Sequence, residues 1–188
     1  FAEYRGSYGP LPNYQAGTTP FRSFGDGGGR VLDESGVPQV VDTFDARFAL
    51  TVPNATACPP PPNGYPVVLY AHGTGGSYRS FISDGTAREL AKRCLAVMGV
   101  DQILHGTRPG APESDAEVNI LFFNFNNVEA ARTNVRQSGL DEIQRARLFT
   151  ESAATVPASV SATGAEIRFD ASKVMFFGHS QGSLNGPL

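Results

Sequence analysis

The sequence predicts an α/β fold: a mostly parallel sheet flanked by helices. Three short apolar runs carry the prediction, at residues 67–70, 95–100 and 173–177. A strand buried on both faces of a parallel sheet reads as such a run rather than as an alternation. Two segments of helical character, about 82–94 and about 129–151, separate the runs and complete a strand, helix, strand, helix, strand rhythm.

Each element has a local justification. Residues 1–30 read as irregular surface chain, because Pro10, Pro12, Pro20 and the run Gly25-Asp26-Gly27-Gly28-Gly29 interrupt any long regular element. Tyr4, Tyr8, Tyr14, Phe21 and Phe24 are expected to pin it to a neighbouring surface. Arg30-Val31-Leu32-Asp33 and Val37 to Val41 suggest two strands about the turn Glu34-Ser35-Gly36, and residues 48–52 a third strand closed by Pro53. The four consecutive prolines Pro59 to Pro62 read as a stiff surface link. In the second helical segment Val135, Ile143, Ala146 and Phe149 are among the apolar positions, and Gly139 is tolerated at about 1 kcal/mol. The whole is one domain, residues 1–188, with a loop- and hairpin-rich lead segment (1–65) and a sheet core (66–188). No internal repeat is visible.

Composition removes several classes of function. Lys and Arg number 15 against 18 Asp and Glu, giving a net charge of −3 with no basic run, which argues against nucleic-acid binding. An apolar content of 40% excludes a wholly disordered chain. No stretch approaches the length of a transmembrane segment. The two cysteines, Cys58 and Cys94, match no metal motif. They are expected to pair if the protein is exported, and otherwise to act as small buried hydrophobes. Asn54-Ala55-Thr56 is a glycosylation-type triplet, a pattern that also arises by chance.

The chemistry is carried by two turns that follow buried strands. Gly178-His179-Ser180-Gln181-Gly182 has the Gly-x-Ser-x-Gly form of a nucleophile elbow. A serine at the tip of a tight strand-to-helix turn adopts an uncommon backbone conformation. Glycines two positions away on each side let strand and helix approach. His72-Gly73-Thr74-Gly75-Gly76 can aim backbone N–H groups into a cavity. Acyl transfer needs two such donors for its oxyanion. Gln181 supplies one, and Thr74 the other, with Gly75 as the alternative. A phosphate-loop reading fails, because the turn has neither the Gly-Lys-Ser/Thr ending nor dinucleotide spacing.

With these residues the sequence resembles the α/β-hydrolase superfamily, in its bacterial esterase/lipase-like branch. The resemblance covers about residues 66–188. It rests on the two turns, on Asp101 with His105-Gly106-Thr107-Arg108, and on Arg132, Asn134, Arg136 and Gln137 of the long helix. It implies an α/β-hydrolase fold, incomplete in this chain, and a serine hydrolase with Ser180 as nucleophile and Thr74 and Gln181 as oxyanion donors. The elbow departs slightly from the family pattern, with Ser183 where a second glycine often stands. The expected activity is cleavage of a small-molecule or lipid ester, with no cofactor and no metal. A peptidase or acyltransferase on the same machinery, and a non-catalytic binding protein on the fold, are the alternatives.

No histidine, aspartate or glutamate follows Ser180, although the family places its triad acid and histidine there. His72 and His105 read as structural, and His179 projects from the elbow's own turn. Asp101 could mimic a triad acid but has no base to serve. Phe122, Phe123 and Phe125 read as core before they read as an acyl pocket. A second polypeptide, or a continuation of the chain, is therefore expected to supply the triad acid and histidine. The cysteine pair, the scarcity of lysine and the aromatic, proline-rich lead point to a secreted or periplasmic location.

Overall fold

The structure, a computed structural model, describes residues 1–30, 32 and 34–186. Its centre is a five-stranded mixed sheet in the order β1-β4-β6-β5-β7. The strands are β1 (Ala2–Asn13), β4 (Asp42–Val52), β5 (Tyr65–Ala71), β6 (Ala96–Val100) and β7 (Phe169–Gly178). Strands β6, β5 and β7 run parallel, whereas β1 with β4 and β4 with β6 are antiparallel. The sheet is thus mixed, with a parallel core of three strands. A two-stranded ribbon pairs β2 (Gln15–Gly17) with β3 (Gly27–Arg30).

Successive residues of the central strands serve opposite faces, as the pleat requires. Val67 and Leu69 of β5, Met98 and Val100 of β6, and Leu50 and Val52 of β4 share one core with Phe149 of the long helix α4 (Val128–Thr150). Val68, Tyr70, Val97 and Ala49 share the other with Phe81 and Ala87. Those two come from the short helices α1 (Ser80–Ser83) and α2 (Thr86–Ala91). Both core faces are buried, which is why the strands lack polar alternation. Helix α3 (Asp115–Phe123) packs separately, with Leu121 and Phe122 against Ile103 and Leu104. The last helix, α5 (Gln181–Leu184), is a single turn.

Three expectations need correction. Residues 2–13 form the longest strand of the sheet. An edge strand is where prolines such as Pro10 and Pro12 are tolerated, because N–H positions on its outer side join no ladder, and the register with β4 shifts between Tyr8 and Leu11, around Pro10. Of the hairpin expected over residues 30–41, Val31 and Asp33 lie outside the described residues; among the described ones Leu32 and Pro38 form a bridge, and residues 39–41 are not strand. The helix expected over 82–94 is two helices, parted at Asp84 and Gly85, where Gly85 has φ +89°. The long helix forms within one residue of its expected ends.

Amide side chains pin the lead segment together with some of its aromatics. Asn127 donates to the carbonyls of Ser23 (2.8 Å) and Gly27 (2.7 Å), and Asn124 to that of Phe21 (2.7 Å). Gln137 accepts from the Tyr14 N–H at 2.9 Å and donates to Pro12 O at 3.1 Å. Among the aromatics Phe21 is buried, Tyr4 and Tyr8 pack against the core, and Phe24 is exposed.

Cys58 and Cys94 form a disulfide, with Cα atoms 5.4 Å apart. It ties the connection before β5 to the chain just beyond α2, closing a loop of 36 residues. On the chain-entropy model such a loop contributes about 3–4 kcal/mol. The Cys58→Ser/Cys94→Ser protein should lose stability of that order in urea denaturation at neutral pH, and thiol titration of the denatured, unreduced wild type should find neither of these sulfurs free.

Candidate active site

Strand β7 ends beside the end of β5, where Gly178 pairs with Ala71 and the His179 N–H donates to Ala71 O at 3.0 Å. The chain then reverses through Ser180, at φ 53° and ψ −120°, and enters α5. A serine rarely adopts a positive φ, so the surroundings must impose it. The glycines show how. A Cβ on Gly182 would stand 2.1 Å from Ala71 O and 2.8 Å from His72 O, and one on Gly178 would stand 2.8 Å from backbone atoms of Gly182 and Ser183. Only unsubstituted backbone fits between strand and helix, and the Ser180 side chain is left exposed at the sheet's carboxyl end.

The glycine-rich turn lies directly against this elbow. A Cβ on Gly73 would meet both Ser180 Cβ and His179 Nδ1 at 3.1 Å. The structure therefore brings together the sequence-predicted Ser180, Thr74 and Gln181. The Thr74 hydroxyl donates to Gln181 Oε1 at 2.7 Å. The backbone N–H groups of Thr74 and Gln181 have no acceptor among the described residues. The alternative donor is committed elsewhere, since the Gly75 N–H donates to His105 Nε2 at 3.0 Å.

His72 and His105 are structural, each using both ring nitrogens. His72 Nδ1 meets Gly73 O at 2.8 Å, while Nε2 accepts from the Gln102 N–H at 3.2 Å. His105 Nδ1 meets Ile103 O at 2.8 Å, while Nε2 accepts from Gly75. These contacts assign both rings as neutral, with the proton on Nδ1. Burial, reinforced by His105 packed edge-on at 4.7 Å, pushes the His72 pKa down to about 3. Burial also lowers that of His105. His179 is exposed on the elbow itself.

Asp101 is likewise occupied. Its Oδ2 accepts from Arg47 Nε at 2.8 Å and from the Thr107 N–H at 3.3 Å, and its Oδ1 accepts from the Tyr78 N–H at 3.0 Å. Phe122 is buried core, as its pattern implied, whereas Phe123 is half-exposed and Phe125 is 90% exposed. Two supporting residues escaped sequence reasoning. Gln102 donates a second bond to His72 O at 3.0 Å, and Asn185 donates to the Gln102 side chain. The position of Gln102, next to the strand-ending Asp101, was a usable signal; a lone asparagine after the elbow offers none. A cavity of about 460 Å³ opens at the opposite end of β5, beside Val52, Pro53, Tyr65 and Ile167, and shares no residue with the elbow or the turn.

Among the described residues no cluster of His, Cys, Asp and Glu could hold a metal ion, and no helix is long and apolar enough to cross a membrane. The chain matches no model of a known protein family and no curated protein.

Two predictions arise from this geometry. Gly182→Ala should destabilise the protein by at least about 2 kcal/mol or prevent folding, because its methyl would meet rigid backbone. Gly25→Ala, with nothing within 4 Å of the new Cβ, should leave the unfolding free energy from urea denaturation within about 0.5 kcal/mol of wild type. The second concerns acid. The unfolded chain protonates His72 below about pH 6.5, and the folded chain does so only near pH 3. Its stabilising contribution is therefore complete above pH 6.5 and is lost as pH falls toward 3. Glu3, which Arg79 and Arg5 hold down to about 2 by hydrogen bonds, acts only below its unfolded value of 4.5. Between pH 6.5 and 4.5 His72 therefore titrates without Glu3, while burial raises the pKa of Asp141 and Glu142, which act in the opposite sense. The difference in urea midpoint between wild type and His72→Gln should shrink as pH falls across that window, because it carries the histidine's share alone.

Proposed function

We propose that this chain supplies the nucleophile and both oxyanion donors of a serine hydrolase of the α/β-hydrolase type, acting on carboxylic esters of small molecules or lipids. The observation that carries the reading is Ser180 at positive φ between β7 and α5, with the Gly73 turn packed on its Cβ and two uncommitted N–H groups beside it. Ser180 Oγ attacks the ester carbonyl carbon while a histidine takes its proton. The carbonyl oxygen becomes an oxyanion that accepts from the Thr74 and Gln181 N–H groups. Collapse of the tetrahedral intermediate expels the alcohol, which receives the histidine's proton, and leaves an acyl-enzyme on Ser180. Water activated by the same histidine then releases the acid and restores the serine.

The base comes from polypeptide outside residues 1–188. His72 and His105 each spend both nitrogens on the loop. Strand β7 supports this reading, since it is a sheet edge with Met175 and Phe177 exposed at 39% and 47%. Apolar side chains on an open edge suit a further covering element. The disulfide supports an exported location, because such bonds persist in oxidising compartments.

In the protein that includes the histidine-bearing polypeptide, Ser180→Ala should lower turnover of a short p-nitrophenyl ester by at least about 10⁴-fold, with an unchanged urea midpoint. A fluorophosphonate probe should label wild type at Ser180 and leave the variant unlabelled. Ordinary turnover by the variant would end the assignment. A well-folded wild type that never reacts with the probe would favour the binding-protein alternative.

A further inference from the structure

We infer that the side-chain hydrogen bond between Thr74 and Gln181 is a positioning clamp that sets the separation of the two oxyanion donors. This inference rests on the nucleophile reading above. The Thr74 hydroxyl donates to Gln181 Oε1 at 2.7 Å across a sequence separation of 107 residues. The two residues it joins are the ones whose backbone N–H groups face the same task. Nothing in acyl-transfer chemistry requires their side chains to meet.

The rest of the glycine-rich turn is held from the other side. His105 takes the Gly75 N–H, Gly73 O takes the Gly76 N–H at 3.0 Å, and Gln102 fixes His72 through both ring and carbonyl. Thr74 is the member of the turn that is bonded to the elbow. On the elbow, Gln181 is only 2% exposed, yet its Nε2 has no partner among the described residues. An apolar side chain in that place would avoid the penalty of a buried, unpaired amide donor. What the amide gains is the bond to Thr74, and through it a fixed distance between two segments that belong to different strand ends.

An oxyanion hole works only when both donors stand about 2.7–3.1 Å from the place the oxyanion will occupy. Loosening the clamp lets one donor drift from that position. The loss then falls on the transition state and leaves ground-state binding of the ester alone.

The test uses the ester-hydrolysing protein with its histidine-bearing polypeptide. Thr74→Val and Gln181→Met each remove the bond and should each lower kcat for a short p-nitrophenyl ester about 10-fold, with KM within about 2-fold of wild type. Affinity for an alkylboronic acid, which forms a tetrahedral adduct on the serine, should fall in parallel. Thr74→Ser keeps the hydroxyl and should recover most of the loss. The double variant Thr74→Val/Gln181→Met should be no slower than the slower single variant, because both break one interaction. Equal urea midpoints for Thr74→Val and Thr74→Ser exclude a loss through unfolding. A labelled, active wild type whose Thr74→Val variant keeps its kcat, or loses only KM, overturns the clamp alone, as do single losses that multiply in the double variant. A wild type that the fluorophosphonate fails to label overturns the nucleophile reading and the clamp with it.

Discussion

Gly182 lies so close to Ala71 that a side chain on it would overlap the carbonyl oxygen of β5, and much of the site depends on that contact. It brings α5 onto the end of the sheet with no room for a methyl group between them. The reversal from β7 into α5 must then occur within Gly178 to Gln181, and Ser180 takes up the unfavourable dihedrals that so short a turn imposes. Positive φ at a non-glycine residue costs on the order of 1–3 kcal/mol. The packing of Gly178, Gly182 and Gly73 against neighbouring backbone and side chains holds that conformation in place. The strain and the exposure of the serine hydroxyl are two consequences of one close approach.

The layer beneath is held by charge. Arg145 is fully buried in α4, and it donates to Tyr70 O at 2.8 Å and Met98 O at 3.2 Å while pairing with Glu142. One turn earlier, Asp141 pairs with Arg108 at 2.7 Å, and the Arg108 guanidinium lies 3.8 Å from the centre of the Phe44 ring. A buried ion pair gains little over a well-packed apolar substitute, because desolvation offsets most of the attraction. These pairs are better understood as locators. Arg145 bonds to carbonyls of β5 and β6 just before each strand gives way to the His72 turn or the Asp101 loop, so the helix and both loops share one register.

The parallel core was legible because β5 and β6 are buried on both faces, and burial of that kind writes itself as an uninterrupted apolar run. The elbow was legible because its steric demand falls on glycines at fixed offsets from the serine. Strand β1 was not, since an edge strand tolerates Pro10 and Pro12 and keeps few apolar residues, which together look like loop. The buried role of α4 was hidden for the opposite reason. Thr133, Asn134, Gln137, Asp141, Glu142 and Arg145 would ordinarily mark a solvated helix face, yet all are buried against the lead segment and the sheet. Several of their partners lie far along the chain, as Tyr70 and Met98 do from Arg145, Arg108 from Asp141 and Pro12 from Gln137, and neither periodicity nor composition records such partners. Asn185 illustrates the limit, because it is wholly buried and bonded to Gln102 without any pattern to announce it.

The same histidines that build the site also define what it lacks. For His72 to take a proton from Ser180 its Nε2 would have to release the Gln102 N–H, and for His105 to do so its Nε2 would have to release Gly75. Either exchange would loosen the turn that carries the Thr74 donor. Burial also depresses both pKa values, so the imidazolium formed on proton transfer would be destabilised where it is needed. A general base works best near the operating pH, in a ring free to face the nucleophile. The hydrogen bonds that make the turn rigid thus keep its histidines from serving as the base in the proposed mechanism, which assigns the oxyanion and the proton to different residues.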